Sequence, residues 1–423
     1  MARRRRKKKK SYAADCLATV VERGDVMLEA PCPVAATCGG CSWQTMAYES
    51  QLGFKKQFIA DSFTNQGFEG LSIPDPEFPT QKYGYRNHME FSFAARRWLT
   101  DEEIATGAEF DRSFALGLHA PGGFGRVLDF DTCLLQNDKM NTVFQACRQF
   151  TQSHELPAYD HSSHEGFWRF LILRQAKATD DILVHIVTRI RDESVMAAFC
   201  DHVQAAEPSV VTITNGVTES VADTSQGATV FCDFGNGTIV EEINGLQFEV
   251  SSTSFFQPNS ETAGMIFRQV AELAGDVRGK NVVDLFCGTG TLALVMAQLG
   301  AKVIGLEVVP EAIECAKRNA ELNNLPDVQF EVCDLMKGLP ESIETVDVVI
   351  TDPPRAGMHK KTIKQLIDLA PQRIVSVGCN PKTQAENIRE LCDRGGYRIE
   401  AMTAVDQFPQ TPHVENVALL IKQ

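Results

Sequence analysis

From residue 281 to 421 the chain alternates short runs rich in Val, Ile and Leu with helical stretches, the pattern of a parallel sheet covered by helices on both faces. The spacing predicts strands near 281–285, 302–306, 328–333, 346–351, 373–378, 397–405 and 416–421. Helices are expected at 291–299, stopped by Gly300, and at 310–323, opened by Pro310. Two more are expected at 359–369, stopped before Pro371, and at 381–394, stopped at Gly395. Only Asp406 to His413 separates the last two strands. A crossover helix cannot fit there, so the seventh strand must run antiparallel to the sixth. That inversion is unusual for a dinucleotide-binding sheet.

Sheets of this kind bind ligands at the carboxyl ends of their parallel strands. Three such ends carry reactive residues: Asp284-Leu-Phe-Cys-Gly288-Thr-Gly290, Asp352-Pro-Pro-Arg-Ala-Gly357 and Ser376-Val-Gly-Cys379-Asn-Pro. Gly288 and Gly290 permit close backbone approach to a cofactor, and Glu307, ending the second strand, is placed to accept hydrogen bonds from ribose hydroxyls. With Ala293 these glycines also satisfy the loose Gly-x-Gly-x-x-Gly/Ala pattern of NAD enzymes. Against NAD stand Asp284, a carboxylate suited to a cationic sulfonium and poorly suited to a pyrophosphate, and the Asp352-Pro-Pro turn. S-adenosylmethionine is therefore the favoured cofactor.

Cys379 follows Gly378 at a strand end and precedes Asn-Pro at a helix start, an exposed turn where a cysteine can act as a nucleophile. Cys287, Cys315, Cys333 and Cys392 read as buried structural residues. Near the start, Cys32, Cys38 and Cys41 fall within ten residues, with Gly39 and Gly40 letting the backbone wrap tightly. The chain carries 13 cysteines in no even framework and shows no secretory signal, so a reducing, cytoplasmic compartment is expected, and the triplet suits a metal or cluster better than disulfides. Its spacing matches neither C-x3-C-x2-C nor paired zinc motifs, and one ligand is missing.

At 423 residues and 43% hydrophobic the chain can bury more than one core, and no run approaches the roughly 18 apolar residues of a membrane span. The expected division is a disordered basic tail at 1–11, an α+β region at 12–256 and the sheet domain at 257–423, with Ser260 capping the first helix of the latter. Segments 167–177 and 182–190, alternating around Thr179-Asp-Asp181, read as a hairpin. Net charge is −14, yet residues 3 to 10 are all Arg or Lys, and without them the remainder carries −22. Such an arm contacts phosphates without sequence specificity, though an address signal or solubility tail has the same composition. Lys82-Tyr83-Gly-Tyr85-Arg86-Asn-His88 and Phe167-Trp168-Arg169-Phe170 read as stacking platforms for RNA bases, with strand core as the alternative.

FFQPN (255–259), DLFCGTGTL (284–292), DPPRAG (352–357), SVGCNP (376–381), FPQTPHVENVALL (408–420) and the cysteine set together resemble the RNA uracil-5-methyltransferase family, and within it the iron–sulfur ribosomal branch, over roughly residues 30 to 423. The resemblance implies an α/β fold: a Rossmann-like class I methyltransferase sheet of seven strands, the last antiparallel, preceded by an α+β domain that bears a cluster and recognises RNA. It further implies S-adenosylmethionine contacts from Gln257, Phe286, Glu307, Asp334 and Asp352, a nucleophile at Cys379 and a base at Glu415. Thr291 departs from the Asn often found there and is left out. Cys133 fits the distant fourth position of the cysteine set, so Cys32, Cys38, Cys41 and Cys133 are expected to hold a [4Fe-4S] cluster, with zinc as the alternative. The expected reaction is methylation of a uridine at its 5-position, in 23S ribosomal RNA, by a monomer without a membrane partner. Transfer RNA methylation, an iron–sulfur oxidoreductase with a bound dinucleotide and a ribosome-assembly factor with a vestigial site are the alternatives.

Overall fold

Two helices, α1 (Tyr12–Arg23) and α2 (Tyr48–Thr64), open the fold in the computed structural model, which describes residues 12–23, 27–123, 125–222, 224–340, 343 and 345–423. The basic tail expected at 1–11 lies outside the described residues. A six-stranded sheet follows, built from β1 (His88–Ala94), β2 (Ala115–Gly117), β3 (Trp168–Gln175), β4 (Ile182–Thr188), β5 (Val210–Val217) and β6 (Thr229–Phe234) in the order β2-β1-β3-β4-β5-β6. Helix α3 (Asp101–Thr106) lies between β1 and β2, while α4 (Asp138–Ser153) and α5 (Glu193–Ala206) pack against the sheet through a core that includes Phe91, Phe144, Phe199 and Ile186. Strand β5 runs parallel to β4, as its crossover through α5 requires, and the other pairs are antiparallel.

Strands β3 and β4 form the expected hairpin, with Asp180 at φ 66° in its turn. Every residue of both strands is buried, the polar Arg169, Arg174, Gln175 and His185 included, so the alternation expected from the sequence does not mark a solvent face. This burial corrects one expectation. Phe167, Trp168 and Phe170 are core side chains, and Arg169 turns its guanidinium inward, donating to the carbonyls of Thr218, Ser220 and Ala222. A stacking platform needs open ring faces, so this segment is structural. Tyr85 is buried as well, its hydroxyl donating to the Pro409 carbonyl at 3.1 Å.

A hairpin of β7 (Thr238–Ile243) and β8 (Leu246–Ser251) leads to α6 (Ser260–Ala274). Asn259, and not Ser260, caps that helix: its side chain accepts from the Thr262 amide, and Ser260 is the first helical residue. The second sheet contains β9 (Asn281–Leu285), β10 (Lys302–Glu307), β11 (Gln329–Val332), β12 (Val348–Thr351), β13 (Arg373–Gly378), β14 (Tyr397–Val405) and β15 (Glu415–Lys422), interleaved with α7 (Thr291–Gln298), α8 (Pro310–Leu322), α9 (Lys360–Leu369) and α10 (Pro381–Gly395). Its order is β11-β10-β9-β12-β13-β15-β14. The last strand is antiparallel to β14, as the short connection demands, and inserts between β13 and β14. This is the seven-stranded, Rossmann-like sheet with one antiparallel last strand that was expected, and its strand bounds fall within two residues of those expected.

Apolar side chains from outside 257–423 share its core. Ile239, Ile243, Leu246, Phe248 and Val250 of the β7–β8 hairpin pack with Val282, Leu292 and Val348, and Ile59 and Phe63 of α2 pack with Ile388 and Leu391 of α10. Among the described residues no helix is long and apolar enough to cross a membrane.

Candidate active site

The register of β13 against β15 sets Gly378 opposite Asn416, so the residues just beyond and before them, Cys379 and Glu415, meet at one sheet edge. Gln384 of α10 stitches the two strands beneath that meeting point. Its Nε2 donates to the carbonyls of Ser376 at 2.8 Å and Asn416 at 3.1 Å, and its Oε1 accepts from Asn416 Nδ2 at 2.7 Å. Gly378 is needed for this fit, because a Cβ there would stand 2.9 Å from Gln384 Cδ. On the other flank, the Arg355 carbonyl accepts from Asn380 Nδ2 at 3.3 Å and Thr383 Oγ1 at 3.2 Å, tying the Asp352-Pro-Pro-Arg turn to the turn that bears the cysteine. Cys379 lines a pocket with Pro353, Pro354, Arg355 and Asn387.

The electrostatics of the crevice are set by carboxylates in a dry place. Burial pushes the Asp352 carboxyl up to about 6. Glu415, 6% exposed, is pushed up to about 8 by burial and then by Asp352, with Arg355 opposing. Burial raises the Cys379 thiol to about 11, with Glu415 and Asp352 adding to the rise and Arg355 again opposing it. Arg355 is thus the cation that faces both reactive groups. Its Nη2 lies 3.4 Å from His413 Nδ1, and His413 is driven down to about 4 by burial and by the nearby Arg355, Lys55 and Arg86.

Opposite signs therefore follow for two variants. Glu415→Gln deletes a carboxylate that holds the Cys379 thiol up, so alkylation of Cys379 by iodoacetamide is expected to extend to lower pH. Arg355→Ala deletes the opposing cation and is expected to confine alkylation to higher pH. Mass spectrometry of the Cys379 peptide across a pH series reads both, and two unmoved profiles would contradict this electrostatic picture.

At the next strand ends lies a cleft suited to a charged cofactor. Phe286 adopts a left-handed backbone at φ 66°, followed by Gly288 at 53° and Gly290 at 86°. A Cβ on Gly290 would meet Phe330 Cζ at 2.9 Å, whereas one on Gly288 would meet nothing within 4 Å, so the first glycine opens onto space and the second onto packing. Glu307 closes the cleft from β10, its Oε1 accepting from the amides of Val308 at 2.7 Å and Val309 at 3.0 Å and its Oε2 from that of Gly288 at 3.3 Å. Asp284 is 1% exposed, and among the described residues its carboxyl oxygens make no hydrogen bond of good geometry, the Ala293 amide being a nearby backbone donor. Burial, then Asp352, then Glu307 hold its carboxyl well above the ordinary range, the Ala293 amide working the other way.

Asp334 follows β11, which pairs with β10 so that the Cys333 amide donates to the Glu307 carbonyl at 2.8 Å; its own Oδ1 accepts from the Met336 amide at 3.0 Å. Gln257 reaches the same end of the molecule by another route. Its carbonyl accepts from Asn87 Nδ2 at 2.9 Å, and its Oε1 from Nε2 of Gln407, in the loop that precedes Glu415.

Cys32, Cys38, Cys41 and Cys133 line a second cavity, together with Val34, Leu118, Phe130 and Leu135. The Gly40 amide donates to Cys38 Sγ at 3.4 Å. Burial raises the thiols of Cys38, Cys41 and Cys133, to about 12 for Cys41 and about 11 for Cys133. Among the described residues no group of three or more His, Cys, Asp or Glu is arranged to hold a metal ion. Of the other cysteines, Cys287, Cys315 and Cys333 are buried as expected, and Cys392 is half-buried.

Arg355, His413 and Gln384 received no role from the sequence. Arg355 could have been found: it is the one cation in a turn already singled out for its aspartate.

A profile of the family described as tRNA (Uracil-5-)-methyltransferase matches residues 233–423. An uncharacterised RNA methyltransferase of Chlorobaculum tepidum is 38% identical, over 94% of this chain and 84% of that one. Another, from Caldanaerobacter subterraneus, is 36% identical over 100% of this chain and 91% of its own. The crystal structure of Pyrococcus abyssi tRNA (uracil-54, C5)-methyltransferase in complex with S-adenosyl-L-homocysteine superposes with a TM-score of 0.73 at 30% identity, covering 92% of this chain and 86% of that one.

Proposed function

Since the chain belongs to the RNA uracil-5-methyltransferase family, we propose that it methylates the 5-position of one uridine in 23S ribosomal RNA through a transient bond between Cys379 and the uracil ring. The observation that carries this reading is the strand register that sets Cys379 beside Glu415 at a pocket mouth. Carbon 5 of uracil is a poor nucleophile. Addition of the Cys379 thiolate to carbon 6 turns the ring into an enolate whose carbon 5 can accept a methyl group, splitting one hard step into two easier ones. Bound S-adenosylmethionine supplies that methyl group as an electrophile. Glu415 then takes the proton from the methylated carbon, the bond between carbon 6 and sulfur breaks, and the thiolate is regenerated as aromaticity returns. A uridine in folded RNA must be flipped out of its stack to reach this crevice.

Gln257, Phe286, Glu307, Asp334 and Asp352 are the residues proposed to hold S-adenosylmethionine. Support comes from Asp284: a buried carboxyl held neutral by burial and crowded by Asp352 recovers its charge beside a cation and is driven further from it by a pyrophosphate. For the four cysteines we adopt a structural [4Fe-4S] cluster that staples the RNA-facing region, since methylation needs no electron. What supports this reading is the kind of donor, four thiols on one cavity with no carboxylate or imidazole among its lining residues, although no three of them are grouped to hold a metal ion among the described residues. Replacing Cys38 by Ser is expected to abolish the brown colour and visible absorption of the purified protein. Zinc in place of iron, by elemental analysis of anaerobically prepared protein, would overturn the cluster.

Transfer RNA is the second reading of the substrate, favoured by the activity named for the Pyrococcus abyssi relative. Mapping 5-methyluridine in total RNA from cells with and without this gene decides between them. Loss of a single modified position in 23S ribosomal RNA supports the first reading, and loss in transfer RNA supports the second.

A further inference from the structure

We infer that Lys55 of α2 is a positioning residue for Glu415, acting on the proton-removal step; this rests on the role proposed for Glu415 above. The connection from Asp406 to Val414 closes the β14–β15 hairpin, whose terminal pair is Val405 opposite Glu415, so the shape of this loop fixes where the Glu415 backbone begins. Asp406, Gln407, Phe408, Pro409, Gln410 and His413 are each hydrogen-bonded from outside the loop. Lys55 Nζ is ion-paired with the Asp406 carboxylate, both side chains being wholly buried, and donates to the Phe408 carbonyl at 3.0 Å. Tyr48 donates its hydroxyl to Asp406 Oδ2 at 2.7 Å, and the Phe408 amide donates to Oδ1 at 3.2 Å.

Gln51, one helical turn before Lys55, completes the grip. Its Oε1 accepts from the Gln410 amide at 3.0 Å, and its Nε2 donates to Gln410 Oε1 at 2.9 Å and to the carbonyls of Trp43 and Met46 at 3.0 Å. Tyr48, Gln51 and Lys55 are spaced three and four residues apart, so one stripe of α2 faces the loop. The far side is secured by the Trp43 amide on the Gln410 carbonyl at 3.0 Å, two residues beyond Cys41, and by the Tyr85 hydroxyl on Pro409. Gln410 sits at φ 69°, a conformation that a non-glycine residue keeps only when its surroundings enforce it.

A lysine sealed in such a place is costly unless it is paired, and without it the Asp406 side chain and the Phe408 carbonyl both lose the donor that ties the loop to α2, whether or not position 406 keeps its charge. The loop then relaxes, and Glu415 moves relative to carbon 5 of the target. Gln384 keeps β13 and the start of β15 in register, so the shift is confined to the loop side of Glu415, and Cys379, whose turn is tied to the Arg355 carbonyl, keeps its place; addition and methyl transfer continue while proton removal slows.

The test uses the full-length protein with substrate RNA and S-adenosylmethionine. Lys55→Met is expected to lower kcat about 10²-fold with KM for both substrates unchanged, and to accumulate a denaturation-resistant protein–RNA adduct that carries the transferred methyl. Lys55→Met/Asp406→Asn removes both charges, leaves none stranded, and is expected to accumulate the same adduct even where the single variant folds poorly. Normal turnover in the double variant, or joint loss of methyl transfer and adduct in both variants, overturns the inference. Glu415→Gln run alongside separates the two levels: adduct there but in neither Lys55 variant overturns the role of Lys55 alone, and no adduct there overturns the base assignment beneath it.

Discussion

Replacing Cys379 by Ala is expected to end methylation, lowering turnover on the order of 10⁶-fold, the scale on which loss of a covalent nucleophile acts in other enzymes. No neighbour can substitute. The other described cysteines of the sheet, Cys287, Cys315 and Cys333, are buried in its core, and Cys392 lies on α10 away from the pocket lining. The cofactor cleft around Asp284, Gly288 and Glu307 does not include Cys379, so the variant should still bind S-adenosylmethionine. Incorporation of labelled methyl into RNA measures the first effect and equilibrium binding the second. Retained methylation with Cys379→Ala would mean that carbon 5 is activated in some other way.

Glu415→Gln is expected to stall the reaction one step later. Glutamine keeps the shape of the side chain and cannot accept the proton, so release slows by about 10²–10⁴-fold, and the methylated ring stays bonded to sulfur. The resting protein explains why this position suits a base. Burial and Asp352 raise Glu415 to about 8, so once ionised it binds a proton more tightly than an ordinary carboxylate does. The same change removes a charge that holds the Cys379 thiol up, so the forward addition is not impaired. Denaturing electrophoresis of the variant with RNA and S-adenosylmethionine should therefore show a retarded band. Free methylated RNA without that band would remove Glu415 from the role of base.

Most of the second sheet could be read directly from the chain, because alternation of apolar strands with capped helices is a local signal and the eight-residue connection from Asp406 to His413 permitted a single strand direction. The insertion of β15 between β13 and β14 has no such signal, yet that insertion brings Glu415 against Cys379. The segment Phe167-Trp168-Arg169-Phe170 misled for a physical reason: aromatic and basic residues in a row describe an RNA platform and a strand buried on both faces equally well. Only the carbonyls of Thr218, Ser220 and Ala222, some fifty residues on, reveal where the guanidinium turns. Lys55 was invisible too. A lysine in a helix is ordinarily a solvated charge, and its partner Asp406 is separated from it by most of the chain. The cysteine triplet was legible from its spacing, while Cys133 joined it through resemblance and now lines the same cavity.

The central claim is a sulfur–carbon bond between Cys379 and the target uracil, and mass spectrometry of the adduct formed by Glu415→Gln tests it most directly. After digestion with nuclease and protease, the peptide spanning Cys379 is expected to carry the added mass of a methylated uridine nucleotide. Recovery of that mass on another residue, or of methylated RNA with every cysteine peptide unmodified, would contradict the account.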